Sequence, residues 1–113
     1  MDVKVSTAGR VHVVTLSGEL DANTSPVAYQ QIRPLATEGA RILLDMAGVA
    51  FMSSAGLRLL LTTYREVVER SGKIALAGLS DELQDTMSAT GFLSFFTIHD
   101  NVEAGLRSLQ VEG

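Results

Sequence analysis

The sequence contains no cysteine and no tryptophan, and aromatic residues make up only 5% of the chain. Without cysteine, the chain can form no disulfide bond, no thiolate metal site and no thiol nucleophile. The two histidines, His12 and His99, lie too far apart in the sequence for a local metal-binding motif. Asp21 with Asn23 lacks the further oxygen ligands of a calcium loop. We therefore expect neither a metal ion nor another cofactor.

Positive charge is also scarce. Thirteen acidic residues outnumber nine lysines and arginines, which gives a formal net charge of −4 and a pI near 5.0. This balance argues against a nucleic-acid partner, because such binding needs a basic surface. No apolar run approaches the roughly 18 residues of a membrane span, and the first residues lack the apolar stretch of a secretory signal. We expect a cytoplasmic protein that does not insert into a membrane.

The chain does contain regular aliphatic patterning, since 46% of its residues are hydrophobic, enough for one core. Alternating and continuous apolar runs predict a hairpin and three further strands, at residues 2–16, 42–44, 73–77 and 95–98. Helical spacing and helix start signals predict four helices, at about 26–39, 54–71, 81–89 and 101–109. Pro34 should kink or shorten the first helix. Ser80 should cap the third, and Asp100 with Glu103 resembles a capping box for the fourth.

This order predicts an α/β fold with a single domain over residues 1–113. Its sheet should be mixed and mostly parallel, with an N-terminal antiparallel hairpin and about four helices. Strands joined through helices are parallel, so their C-terminal ends lie along one edge of the sheet. In open α/β sheets this edge is where ligands and partners bind. Asp21, Ser54 and Ser80 all follow predicted strands and are candidates for one surface patch.

Ser54 begins the helix with the clearest pattern. Apolar residues recur there with the spacing of one helical face, at Leu57, Leu60, Leu61, Tyr64, Val67 and Val68. A serine at a helix start commonly accepts hydrogen bonds from free backbone N–H groups. The same position also suits a phosphate, because those N–H groups and the helix dipole favour negative charge. The residues alone leave both interpretations open, a cap or a modification site.

Catalysis by Ser54 is the weakest of the possible functions. A nucleophile elbow needs a glycine two residues before the serine and another two residues after it, together with a histidine base. Gly56 supplies the second glycine, but Met52 occupies the first position. No glycine-rich phosphate loop is present either. We therefore predict that the chain is not an enzyme.

Two spaced motifs carry a family resemblance, LSGELD at residues 16–21 and LLDMAGVAFMSSAGLRLLL at 43–61. They resemble the anti-sigma-factor antagonist family, whose domain is called STAS, and the segments IALAGLSDEL and SATGFLSFFTI extend the resemblance over nearly the whole chain. In that family the partner anti-sigma factor is a kinase that phosphorylates a serine, which in this register is Ser54. Two positions depart from the family pattern, Ser53 in place of aspartate and Ala55 in place of a second serine or threonine.

The resemblance implies an anti-sigma-factor antagonist that binds a kinase-like anti-sigma factor when unphosphorylated and is switched off by phosphorylation of Ser54. A serine phosphatase is a further implied partner. The expected partner-binding residues are Asp21, Asn23, Thr24, Met52, Ser53, Ser54, Arg58 and Ser80. A second hypothesis is a constitutive STAS scaffold or subunit of a sensor or lipid-transport assembly, in which Ser54 is structural.

Overall fold

A computed structural model describes residues 1–110 as a five-stranded sheet with helices on both faces. The strands are β1 (Asp2–Ala8), β2 (Val11–Leu20), β3 (Arg41–Met52), β4 (Lys73–Ala77) and β5 (Thr97–His99). The helices are α1 (Ser25–Ile32), α2 (Ser54–Glu69), α3 (Asp81–Ala89) and α4 (Val102–Gln110), with short 3-10 turns at Arg33–Leu35 and Leu93–Phe95. The predicted α/β fold is confirmed. The last residues of the predicted domain, 111–113, lie outside the described part.

The strands lie in the sheet in their chain order, β1-β2-β3-β4-β5. β1 and β2 are antiparallel and form the predicted hairpin, with Val5 opposite Val14 and Gly9 in the turn at a φ of 62°. The other neighbouring strands are parallel. The C-terminal ends of β2 and β3 therefore lie side by side, with Leu20 opposite Met52. This pairing positions the candidate site.

The two faces of the sheet bury different amounts of apolar surface. The larger core lies under α1, α2 and α3, where Ile42 and Leu44 of β3 are both fully buried. Leu43 points to the opposite face, because successive side chains of a strand alternate. There it packs against α4, whose Gly105 leaves no room for a side chain: a Cβ would lie 2.7 Å from Leu43 Cδ1.

Both strands beside the candidate site are longer than predicted. β3 continues to Met52, so much of the predicted loop at 47–54 is strand, and β2 continues to Leu20. The sequence did not predict this, because Asp45 interrupts the apolar run and Gly48 follows shortly after it. Gly48 instead allows close strand packing, since a Cβ there would lie 2.7 Å from Ser17 Oγ. Register shifts in this part of the β2–β3 pair accommodate the irregularity.

Two helix ends can be compared with their predictions, and one of them differs. α1 ends at Ile32 and continues only as the 3-10 turn that contains Pro34, so the expected shortening is confirmed. The Asp100–Glu103 capping box is wrong by one residue. Asn101 caps α4 instead, because its Oδ1 accepts the N–H of Ala104 at 2.8 Å. The strand before it is Thr97–His99, not 95–98.

The buried face of α2 is rotated from the predicted one. Its central stripe runs through Gly56, Leu60, Thr63 and Val67, with Leu57 and Leu59 buried beside it. Val68 is 47% exposed and Leu61 is only half-buried, so these two predicted core positions are wrong. Helical periodicity places residues on a common face, but neighbouring elements decide which part of that face is covered.

Candidate functional site

The turn between β2 and α1 is held by its own side chains. Asp21 Oδ1 accepts the backbone N–H groups of Asn23 at 2.9 Å and Thr24 at 3.0 Å. Thr24 Oγ1 accepts the N–H of Asp21 at 2.9 Å and donates to the carbonyl of Glu19 at 2.7 Å. These bonds fix the conformation of residues 20–24 without help from a partner.

The same hydrogen bonds keep Asp21 charged. The N–H of Thr24 and then that of Asn23 hold the pKa of the Asp21 carboxyl below its ordinary value of 3.8, because they stabilise the carboxylate form. Both N–H groups bind Oδ1, and within residues 1–110 Oδ2 accepts no hydrogen bond. The turn therefore presents a fixed negative charge with a free oxygen.

Backbone contacts place this turn directly beside the start of α2. The carbonyl of Leu20 accepts the N–H of Ser53 at 2.9 Å, and the Ser53 hydroxyl lies 3.5 Å from the same oxygen. Gly56 makes the approach possible, because a Cβ there would lie only 2.6 Å from the Leu20 carbonyl oxygen. Asp21 directly follows Leu20, and Ser54 directly follows Ser53. This hydrogen bond therefore brings the two candidate residues to the same part of the surface.

Ser54 is the first residue of the 16-residue helix α2, and it is exposed. The N-cap position belongs to Ser53, whose side chain makes no capping hydrogen bond. Within the described chain the Ser54 hydroxyl also makes no hydrogen bond. The interpretation of Ser54 as a cap is therefore wrong. Its hydroxyl is exposed at the positive end of a helix and has no hydrogen-bond partner among residues 1–110.

The remaining predicted partner-binding residues fall into three groups. Asn23 and Arg58 are exposed, and Arg58 lies one helical turn after Ser54. Met52 is 4% exposed and belongs to the core, so its predicted place on the surface is wrong. Ser80 caps α3 by accepting the N–H of Leu83 at 3.2 Å, as predicted. β4 pairs with β3 only as far as Asp45, so strand pairing does not join Ser80 to this turn.

Phe51 is a surface residue that the sequence analysis missed. Its side chain is 52% exposed, although it stands between two other residues of β3. It lies opposite Glu19 in the β2–β3 register, near the C-terminal ends of both strands. Strand alternation could have placed Phe51 on the opposite face of the sheet from Met52, but its exposure depends on what covers that face.

A groove of about 510 Å³ runs between α1 and α2 and begins at Ala55, the residue after Ser54. It is lined by Ala22, Ser25, Pro26, Tyr29, Ala55, Arg58, Leu59 and Thr62. The Tyr29 hydroxyl donates a short hydrogen bond to Glu66 of α2, which ties the two helices together. This hydrogen bond to the carboxylate also raises the pKa of the Tyr29 hydroxyl above its ordinary value.

Neither histidine is placed beside Ser54 by the sheet register. His12 pairs with Ile42 near the start of β2, whereas Ser53 contacts Leu20 at the other end of that strand. His99 lies in β5 and pairs with Ala77. Within residues 1–110 no three His, Asp or Glu side chains gather as a metal site. Across the same residues, none of the helices combines the length and apolar character needed to cross a bilayer.

Comparison with known proteins identifies the fold and its relatives. The sequence pattern of the STAS domain matches residues 2–105. The chain belongs to the STAS domain family. The predicted family is thereby confirmed. The Anti-sigma-B factor antagonist of Bacillus subtilis (strain 168) is 30% identical over 94 residues, which cover 83% of this chain and 86% of that relative.

Two solved structures show the range of proteins that contain this STAS fold. SpoIIAA, a Bacillus cell fate determinant solved in its phosphorylated form, has a TM-score of 0.75 at 21% identity and covers 96% of this chain and 100% of its own. The murine anion transporter Slc26a9, solved in the inward-facing state, has a TM-score of 0.79 at 19% identity. The match covers 91% of this chain but 18% of the transporter. At these identities the similarity shows the fold alone.

Proposed function

We propose that this STAS protein is an anti-sigma factor antagonist whose binding to an anti-sigma factor is controlled by phosphorylation of Ser54. The observation that carries the proposal is the Ser54 hydroxyl, which is exposed, makes no hydrogen bond within residues 1–110 and stands at the start of α2. The Bacillus subtilis relative is named for antagonism of an anti-sigma factor. The phosphorylated form of SpoIIAA shows that the fold accommodates a phosphate in at least one STAS protein.

The physical chemistry of the site supports a switch in binding without a change of fold. A phosphate on Ser54 would add a charge of about −1.5 to −2 at pH 7. At a helix N-terminus this charge is favourable within the protein, so the fold should survive. At an interface, the same charge left unpaired and desolvated costs on the order of several kcal/mol. Each 1.4 kcal/mol weakens binding about tenfold, so phosphorylation would separate the complex.

The proposed partner is a kinase-like anti-sigma factor, and a serine phosphatase would reset the switch. The chain would act in the cytoplasm by binding and not by catalysis. The proposed contact surface consists of the β2–α1 turn and the start of α2. Its residues are Asp21, Asn23, Thr24, Phe51, Ser53, Ser54 and Arg58, while Ser80 remains a separate prediction on the next loop.

A constitutive scaffold is the alternative proposal, because the same fold also occurs as a small part of a larger protein, the anion transporter Slc26a9. In such a role the STAS domain would be a fixed part of a larger assembly, and modification of Ser54 would have no consequence. The absence of any hydrogen bond from the Ser54 hydroxyl in residues 1–110 counts against a structural need for this serine. Affinity for an anti-sigma factor separates the two proposals.

The experiment measures affinity for the kinase-type anti-sigma factor of the same genome, by titration calorimetry. We expect Ser54→Ala to bind normally and Ser54→Asp to bind at least about tenfold more weakly, because its charge must enter the interface. After incubation of the wild type with the anti-sigma factor and ATP, mass spectrometry should find phosphate on Ser54. Ser53→Ala is the matched control and should still be phosphorylated.

Three outcomes would overturn the switch. The first is phosphate on Ser53 and not on Ser54, and the second is full-strength binding by Ser54→Asp. The third is no binding of the unmodified protein to the anti-sigma factor, which would leave the scaffold proposal standing. Circular dichroism of each variant must show an unchanged fold, so that a loss of binding reports the interface and not unfolding.

A further inference from the structure

Two residues that line the groove between α1 and α2 have polar groups that the described fold leaves without partners. Ser25 is 8% exposed, and its buried Oγ makes no hydrogen bond within residues 1–110. Most buried hydroxyl groups have a partner, so the Ser25 hydroxyl is an exception in this structure. Arg58 is exposed at the same groove, and in the described residues its guanidinium forms no ion pair.

The charges around the groove favour an anionic occupant. Arg58 is the one ionic residue among those that line it, and no carboxylate lines it. Glu66 of α2 accepts the hydrogen bond of Tyr29 and is not among the residues that line this groove. The chain as a whole carries a net charge of −4. A positive charge without an ion partner among residues 1–110, beside an apolar groove, therefore differs in sign from the protein as a whole. A planar guanidinium pairs best with a carboxylate or phosphate, through two parallel hydrogen bonds.

The other lining residues favour an apolar side chain beside that anion. Pro26 stands on the α1 side, and Leu59, which is 6% exposed, on the α2 side. Ala22 and Ala55 are small and leave the groove open. The groove is also continuous with the proposed interface, because Ala55 directly follows Ser54. An occupant of the groove would therefore belong to the same partner that contacts Ser54.

We infer that the groove binds a segment of the anti-sigma factor in which an apolar side chain stands next to an Asp or Glu. The apolar side chain enters between Pro26 and Leu59, and the carboxylate pairs with Arg58. This inference rests on the proposed function, since it assigns a second contact to the same partner.

The position of Arg58 also links the groove to the switch. Ser54 and Arg58 are four residues apart on α2, so their Cβ atoms are about 5–6 Å from each other on one face of the helix. A phosphate on Ser54 lies within reach of the guanidinium and competes with the partner's carboxylate for it. Phosphorylation would then act twice, by adding a charge to the interface and by occupying the arginine of the groove.

The first test uses small probes and needs no partner. Phenylacetate carries an aromatic ring and a carboxylate, and benzylamine carries the same ring with the opposite charge. In ¹⁵N-labelled protein, phenylacetate should shift the NMR signals of Ala55, Arg58 and Thr62, and Arg58→Glu should abolish these shifts. Benzylamine should shift them at least threefold less. Equal shifts from both probes, or none at the groove, would overturn the inference.

The second test compares two charge reversals on α2 for binding of the anti-sigma factor. Arg58→Glu should weaken binding at least tenfold. Arg65→Glu is the matched control, because Arg65 is exposed on the same helix, does not line the groove and gives the same change of net charge. It should change affinity by less than threefold. Similar effects of the two variants would contradict the inference, because they would report only general electrostatics.

The two tests separate failure of the groove from failure of the proposed function. If the wild type does not bind the anti-sigma factor, the proposed function and this partner for the groove both fail. The probe result then shows only whether the groove selects a carboxylate. If the wild type binds and Ser54→Asp does not, the proposed function stands. In that case an Arg58→Glu protein that binds within threefold of the wild type overturns the groove contact and removes Arg58 from the contact surface, while the switch at Ser54 stands.

Discussion

The N–H of Ser53 donates a 2.9 Å hydrogen bond to the carbonyl of Leu20, and this contact joins the end of β2 to the start of α2. Two residues that are 33 apart in the sequence thus become neighbours. The residue after each of them, Asp21 and Ser54, carries the chemistry proposed for the site. Asp21 supplies a fixed negative charge and Ser54 a free hydroxyl. The relationship depends on the close approach that Gly56 allows.

Gly56→Ala tests that close approach. Helix propensity alone would favour alanine by up to about 1 kcal/mol. However, the new Cβ would lie 2.6 Å from a backbone oxygen, which cannot move as a side chain would. Overpacking of this kind costs about 1–3 kcal/mol. We expect a net loss of about 1 kcal/mol in the free energy of unfolding, measured by urea denaturation. A protein stabilised by this substitution would show that the two elements are not in tight contact.

Ser54→Ala and Ser80→Ala form a matched pair at two helix starts. Ser80 accepts the N–H of Leu83, so its loss should cost about 1 kcal/mol, the usual value of a cap. Ser54 makes no such bond within residues 1–110, so its loss should change stability by less than about 0.5 kcal/mol. Thermal or urea denaturation measures both. The reverse order would restore the interpretation of Ser54 as a structural residue.

Truncations along α2 test its orientation. Leu60 is 1% exposed, so Leu60→Ala should cost about 2–5 kcal/mol through lost burial and a residual cavity. Val68 is 47% exposed, so Val68→Ala should stay within about 0.5 kcal/mol of the wild type. Leu61→Ala should fall between these values, because Leu61 is half-buried. Equal losses at Leu60 and Val68 in urea denaturation would mean that the helix faces the sheet differently.

Asp21→Asn should reveal a stability difference that depends on pH. The amide oxygen of Asn can still accept the N–H groups of Asn23 and Thr24, but the charge is lost. The pKa of Asp21 is lowered in the folded protein, so its carboxylate contributes stability that is fully present above the unfolded value of about 3.9. That contribution disappears as the pH falls through the lower folded pKa. The wild type should therefore exceed the variant in stability at pH 7, and this difference should shrink as the pH falls through the folded pKa of Asp21.

Urea denaturation at several pH values measures this difference, and NMR titration of the Asp21 carboxyl measures its pKa directly. A pKa above 3.8, or an advantage of the wild type that grows toward low pH, would contradict the hydrogen-bonding pattern of the turn. Partner affinity at pH 7 provides a second result. If the free oxygen of Asp21 contacts the partner, Asp21→Asn should bind more weakly even where both proteins are fully folded.

Several details of the site could not be predicted because they depend on strand length and close packing. Local pattern ended β3 near Asp45, and only pairing with β2 showed that it continues to Met52. That difference moved Met52 from the surface to the core and exposed Phe51. The sequence also did not predict that the Ser54 hydroxyl is free of hydrogen bonds within residues 1–110, because a serine at a helix start is compatible with either a capping bond or none.

The sequence by itself determined the order of strands and helices, the parallel sheet with its N-terminal hairpin, and the position of the two motifs at strand ends. Those features follow from local periodicity and chain connectivity. Only the tertiary structure decided which side chains have no hydrogen-bond or ion partner among the described residues. Contacts between residues far apart in the chain joined the Asp21 turn to Ser54, rotated α2 toward Gly56 and Leu60, and left Arg58 at the groove without an ion partner among the described residues. Such contacts depend on distances in space, which local sequence patterns do not encode.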